Sequence, residues 1–152
     1  MADYYERLLL LKQSTLFSSV GIDDLRLVVK FLDKRRYFSG DRIFERDDTG
    51  DHLYLIVSGK IGISLDGKGN GSHFIATLGP GDCLGEMNLL DDQPRSATAH
   101  VIEDSDVLML DKSRLRCLIL SYPEISIGML RSMSLRLREA NRVAFEQEQP
   151  AK

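Results

Sequence analysis

Residues 52–65 read HLYLIVSGKIGISL. Leu53, Leu55 and Val57 alternate with other residues, Gly59 interrupts, and Ile61, Ile63 and Leu65 alternate again. A period of two is the signature of a strand with one buried face, and a glycine between two such runs reads as a tight turn. The segment therefore predicts strand, turn, strand. Upstream, Tyr37 and Phe38 lead to a Ser39-Gly40-Asp41 turn, and Ile43 and Phe44 lead to the polar turn 47–51. Downstream, Gly67-Lys68-Gly69-Asn70-Gly71 reads as a hairpin tip. Phe74–Leu78 reads as a strand closed by Gly79-Pro80-Gly81-Asp82, and 98–102 and 107–110 as two more strands. Short strands separated by turn residues indicate a β-sandwich, jelly roll or barrel.

Helical spacing brackets this region. Residues 3–12 carry a leucine-rich face, and 22–32 (IDDLRLVVKFL) place Asp23 and Asp24 in a first turn, where carboxylates favour the helix dipole. Helical period returns at Lys112. Pro123 suits a first helical position, and the helix after it should run to about Gln147. The expected organisation is N-terminal helices over 1–35, a β region over 36–111 and C-terminal helices over 112–147, mainly β with flanking helices. In the last helix Leu130, Met133, Leu137, Ala140 and Ala144 alternate at spacings of three and four. That stripe suits either a seam between two protomers or packing on the chain's own β region, and Gly128 reads as a local weak point of the helix.

Composition narrows the function. The chain has 152 residues, 43% apolar and 28% charged, the profile of one globular domain. A net charge of −3 argues against a broad nucleic-acid grip, which needs clustered Lys and Arg. Two cysteines, Cys83 and Cys117, make no disulfide framework and fit a reduced, cytoplasmic setting. No stretch has the length of a membrane span or the form of a secretory leader, so no direct membrane insertion is expected. The three histidines stand apart, without the His-x-His of a metal-binding cupin, and no Ser-His-Asp or Cys-His arrangement stands out. Neither a metal, a cofactor nor enzymatic chemistry is expected.

The chemistry is concentrated in residues 79–101, GPGDCLGEMNLLDDQPRSATAHV. Glu86–Leu90 has little strand character and reads as one helical turn entered through Gly85. Such a turn presents backbone N–H groups without partners, which favour an anion. Arg95 supplies a planar two-pronged donor for phosphate. Glu86 beside an anion needs a donor of its own, and a sugar hydroxyl provides one. Glycine, helix start, carboxylate and arginine together point to a phosphorylated sugar.

This stretch resembles the phosphate-binding cassette of cyclic-nucleotide-binding domains, found in bacterial catabolite-activator proteins, protein kinase A regulatory subunits and cyclic-nucleotide-gated channels. The matching residues are Leu84-Gly85-Glu86-Met87-Asn88-Leu89 and Pro94-Arg95-Ser96-Ala97, a cassette over 84–97. Gly40-Asp41-x-Ile43-Phe44, Gly50-Asp51-x-Leu53 through Gly59, and Leu78-Gly79-Pro80-Gly81-Asp82 resemble the family's other landmarks in order, across roughly residues 16–140. The resemblance implies one β-roll, a jelly-roll-like antiparallel double sheet, that binds cyclic AMP or cyclic GMP. It implies that Glu86 accepts from the ribose 2′-hydroxyl and that Arg95 holds the exocyclic phosphate oxygens. Backbone N–H groups near Gly85, Met87, Asn88 and Ala97 would complete the phosphate site, with Ser96 beside it. Asp51 would brace Arg95, although an Asp after Gly is also an ordinary turn residue. Ile63 and Ile75 would form apolar walls, and the helix after Pro123 would report the ligand. Leu84 and Asn88 depart from the family's usual Phe and its usual Ala or Gly.

Three further expectations follow from the resemblance. The chain would pair as a homodimer through its C-terminal helix. It would bind no nucleic acid by itself, since only the polar residues 146–152 follow that helix where catabolite activators carry a DNA-binding domain. Alternatives to a nucleotide sensor are a piece of such a regulator or channel lacking its effector domain, and a degenerate module that contacts only a protein partner.

Overall fold

The computed structural model describes residues 3–66 and 74–148. Helix α1 spans Tyr4–Gln13 and α2 spans Ile22–Val29. Strands β1 (Leu32–Tyr37), β2 (Arg42–Phe44), β3 (His52–Ser64), β4 (Phe74–Leu78) and β5 (Cys83–Leu84) follow. A short helix, α3 (Glu86–Leu90), precedes β6 (Thr98–Asp111), and α4 (Lys112–Ser121) and α5 (Glu124–Glu148) end the described chain. The glycine-rich tip expected at 67–71 lies outside the described residues.

Strands β3 and β6 form the spine, antiparallel from His52↔Asp111 to Ser64↔Thr98. Register shifts between Ile56 and Ile61 divide this ladder into two halves. In the first, the start of β3 also pairs β5 (Tyr54↔Leu84) and the end of β6 pairs β1 (Leu32↔Leu110). In the second, the end of β3 pairs β4 (Ile61↔Leu78) and the start of β6 pairs β2 (Arg42↔His100). Two antiparallel half-sheets joined by continuous strands make the expected β-roll.

The two expected strand pairs at 53–65 and 98–110 are therefore two unbroken strands. Gly59 bends β3 without ending it: its φ of +99° is a glycine conformation, and Ser105 of β6 packs directly against it. The sheet also starts earlier than expected. Leu32, Asp33 and Lys34 belong to β1, not to a helix or a leader to residue 35, because Leu32 pairs with Leu110 and packs in the core.

Alternation in β3 fills two cores. Leu53 and Leu55 face the helices, joining Leu11, Phe17, Leu25, Leu115 and Ile125. Tyr54 and Ile56 face the inside of the roll with Leu84, Ala99 and Val107. At about 1.5–3 kcal/mol for each fully buried large side chain, these clusters supply most of the drive to fold. Asp111 caps α4, its Oδ1 accepting from the Ser113 and Arg114 N–H groups at 2.8 and 3.1 Å.

Helix α5 is docked by its first half alone. Ile125 and Met129 join the helical core, and Ser132 Oγ accepts from the Ser19 N–H at 2.9 Å. Gly128 has a packing role: a methyl group there would lie 2.8 Å from Val20 Cα, so the glycine permits the close approach of helix and loop.

Candidate functional site

The chain leaves β5 at Leu84 and turns through Gly85, whose φ is +81°. This turn launches α3, so Glu86, Met87 and Asn88 form its first turn, where N–H groups have no intrahelical acceptor. Pro94 and Arg95 then lie outside regular structure, and strand pairing resumes at Thr98. The main chain of Arg95 is fastened on both sides: its N–H donates to the Asp48 carbonyl and its carbonyl accepts from the Asp47 N–H, each at 2.8 Å. The cassette is thereby tied to the turn before β3.

The Arg95 side chain is only 3% exposed. Nη2 donates to the His52 carbonyl at 2.7 Å, and Nη1 donates to Asn88 Oδ1 at 3.1 Å and the Gly85 carbonyl at 3.3 Å. Nε is buried without an acceptor. Cζ lies 4.2 Å from the Phe44 ring centroid, a cation–π arrangement. Burial pulls the guanidinium below its usual pKa, partly offset by Tyr54, Asp51, Asp48 and Glu86. A buried cation lacking one acceptor is poorly satisfied by the protein alone, and an anion arriving there would relieve it.

Two glycines frame the guanidinium. A methyl group on Gly85 would come within 2.4 Å of Nη1, and one on Gly50 within 2.7 Å of both Cζ and Nε. Glu86 has its own partner: its carboxylate accepts from Arg136 Nη1 on α5 at 3.1 Å. The Glu86 side chain is 13% exposed and that of Arg136 51%.

Gly85, Glu86, Asn88, Arg95, Ser96, Ala97 and Ile63 surround one cavity of about 240 Å³, together with Phe44, Leu78, Cys83, Leu84 and Arg136. Larger hollows lie beside Arg42, Lys60 and His100 and along α5, but neither joins a carboxylate to a buried arginine. Burial, with help from the charge of Glu86, pushes the Cys83 thiol well up, so it lines the cavity as a small protonated side chain.

Two expected residues stand elsewhere. Asp51 is exposed and makes no hydrogen bond to Arg95. The carbonyl of its neighbour His52 takes the guanidinium instead, and Asp51 contributes only longer-range attraction. Ile75 is 62% exposed, at the register shift where β4 passes from Ala76, opposite Ile63, to Phe74, opposite Ser64; Leu78, which pairs with Ile61, is the wall in its place. Phe44, Gly50, His52 and Arg136 were not anticipated as neighbours of Arg95 or Glu86. Phe44 had a signal, as an aromatic residue closing a short strand just before the turn that holds the arginine. Arg136 had none, since nothing local distinguishes it from other arginines of α5.

Elsewhere, Ser64 Oγ meets His100 Nε2 at 2.7 Å. Ser64 is completely buried, so this pair offers no approach to a substrate carbonyl.

The family model described as the cyclic nucleotide-binding domain matches residues 34–122. The chain is 35% identical over 131 residues to the cyclic AMP receptor protein of Thermus thermophilus, covering 86% of this chain and 61% of that protein. It superposes with a TM-score of 0.74 and 26% identity on the N-terminal domain of a transcriptional regulator from Streptomyces coelicolor, covering 88% and 93% of the two chains. It is also similar to the regulatory domain of Toxoplasma gondii protein kinase A crystallised with cyclic AMP. There the TM-score is 0.69 and the identity 26%, over 78% of this chain and 46% of that one. The chain spans about three fifths of the length of the receptor and regulator sequences it matches.

Proposed function

Since this chain belongs to the cyclic nucleotide-binding domain family, we propose that it senses cyclic AMP or cyclic GMP at the cassette and passes the signal to α5. Arg95 holds the exocyclic phosphate oxygens, helped by the N–H groups near Gly85, Met87, Asn88 and Ala97. Glu86 accepts from the ribose 2′-hydroxyl, Ser96 flanks the phosphate, and Ile63, Leu78 and Phe44 supply apolar wall. The similarity to one protein named as a cyclic AMP receptor and another crystallised with cyclic AMP favours that nucleotide. The module performs no chemistry of its own.

The carrying observation is the Glu86–Arg136 pair, which joins the cassette to α5 at 3.1 Å. A ribose hydroxyl approaching Glu86 competes with Arg136 for the same carboxylate. Arg136 must then move or share its partner, so occupancy is felt by the helix. A ligand shifts such an equilibrium only by its differential affinity for the two arrangements.

Thermal melting with each nucleotide tests the reading. A ligand that binds only the folded chain adds about 2.7 kcal/mol at a hundredfold excess over its Kd, a rise of several degrees in Tm. Absence of any rise at millimolar cyclic AMP and cyclic GMP would overturn it.

A further inference from the structure

Asn88 is 7% exposed, and both ends of its amide are engaged. Oδ1 accepts from Arg95 Nη1, and Nδ2 donates to the Gln93 carbonyl. The amide has one orientation here, because a guanidinium only donates and a carbonyl only accepts. Its side chain therefore turns toward the arginine and the loop before it, and works through Arg95.

The chemistry of the three Arg95 acceptors is the notable feature. Two are backbone carbonyls, of His52 and Gly85, and the third is the Asn88 amide. All are neutral. Among the described residues no carboxylate hydrogen-bonds this guanidinium; Asp48, Asp51 and Glu86 act on it only as more distant charges. An aspartate at position 88 would still accept from the same nitrogen, although it would lose the bond to the Gln93 carbonyl. It would also cancel the charge a phosphate needs and repel the anion.

Resting on the cyclic-nucleotide reading, we infer that Asn88 is a positioning residue: it fixes the Arg95 guanidinium through an uncharged acceptor, so that the arginine is held still while its charge is reserved for the ligand. The Gln93 bond extends this hold to the loop 91–95, so α3 and the arginine move as one piece.

Two readouts separate this role from packing alone. The first is side-chain nitrogen NMR of Arg95 in the nucleotide-free chain, assigned by its loss in Arg95→Lys. Wild type and Asn88→Asp should give resolved Nη signals from a guanidinium with hindered rotation, and Asn88→Ala should give merged ones. The second is titration with cyclic AMP. Loss of one hydrogen bond to a charged group should weaken binding in Asn88→Ala roughly tenfold. Asn88→Asp should bind more weakly still, although it keeps the arginine fixed. Resolved Nη signals in Asn88→Ala would overturn the positioning role, and wild-type affinity in Asn88→Asp would overturn the reservation of charge. If Asn88→Ala fails to fold, Asn88→Ser, whose hydroxyl is too short to span to Nη1, takes its place. If wild type binds neither nucleotide, the functional reading falls and the charge reservation with it, while the Nη signals still decide whether Asn88 fixes the arginine.

Discussion

A methyl group at Gly50 would lie 2.7 Å from Cζ and Nε of Arg95, whereas one at Gly59 would lie 2.1 Å from Ser105 Oγ and 2.5 Å from the Asp104 carbonyl oxygen. The first contact is with the far end of a side chain, but Asn88 Cβ lies 2.8 Å away as well, so α3 must also give. The second is partly with backbone, at a residue with φ of +99°, so strain adds to the clash. Gly50→Ala should therefore displace the guanidinium and α3 and weaken nucleotide binding by tenfold or more, by the magnitude of a hydrogen bond to a charged group. Gly59→Ala should cost about 2–4 kcal/mol of stability and leave binding by the folded fraction intact. Melting curves and titrations of both variants check this, and wild-type affinity in Gly50→Ala would contradict it. The contiguous part of the candidate site was legible in the sequence, because Gly85, Glu86, Arg95, Ser96 and Ala97, which line one cavity, sit within one segment. What holds the arginine was not. His52 lies 43 residues before it, and its acceptor is a backbone carbonyl that no side-chain pattern announces. Ile75 entered through the resemblance alone, and it sits at the register shift of β4, so Leu78 supplies the wall.

At the scale of elements, the order of helices, β-roll and helices followed from the switch between periods of two and 3.6. Strand continuity did not. Gly59 carries a local turn signal, yet β3 is paired on both sides of it, and the ladder to β6 continues past the bulge. Likewise Phe31 and Leu32 continue the apolar spacing of α2, but a partner strand claims Leu32. Tertiary pairing overrides a local period in both cases. The link between cassette and α5 belongs to this scale. The Glu86–Arg136 pair has one partly exposed partner, so its own worth in stability is small, about 0–1 kcal/mol. Arg136→Ala should leave Tm nearly unchanged and still bind nucleotide. It should reduce the ligand-dependent change in hydrogen exchange across residues 124–145 that wild type shows. An undiminished response in Arg136→Ala, with ligand bound, would mean the signal leaves the cassette by another route.

At the scale of the whole chain, residues 134–148 of α5 are all exposed. Leu130 (68%) and Leu137 (63%) form an apolar stripe open to solvent, while Met133 turns back onto the helical core and leaves the expected seam. Ala140 and Ala144 continue the exposed stripe. Such a face is stable in a helix when a second helix covers it. The chain is accordingly expected to sediment as a concentration-dependent dimer and the double variant Leu130→Lys, Leu137→Lys as a monomer; a wild-type monomer at every concentration would contradict this. Among the described residues no helix is long and apolar enough to cross a membrane. In the proposed receptor Arg95 is the side chain that holds the phosphate, and calorimetric titration of cyclic AMP and cyclic GMP into wild type, Arg95→Lys and Arg95→Ala tests this directly. Wild type is expected to bind at one site per chain, Arg95→Lys, which keeps the charge but loses the fork, to bind more weakly, and Arg95→Ala to lose roughly 2–5 kcal/mol. Equal affinity for all three chains would contradict it.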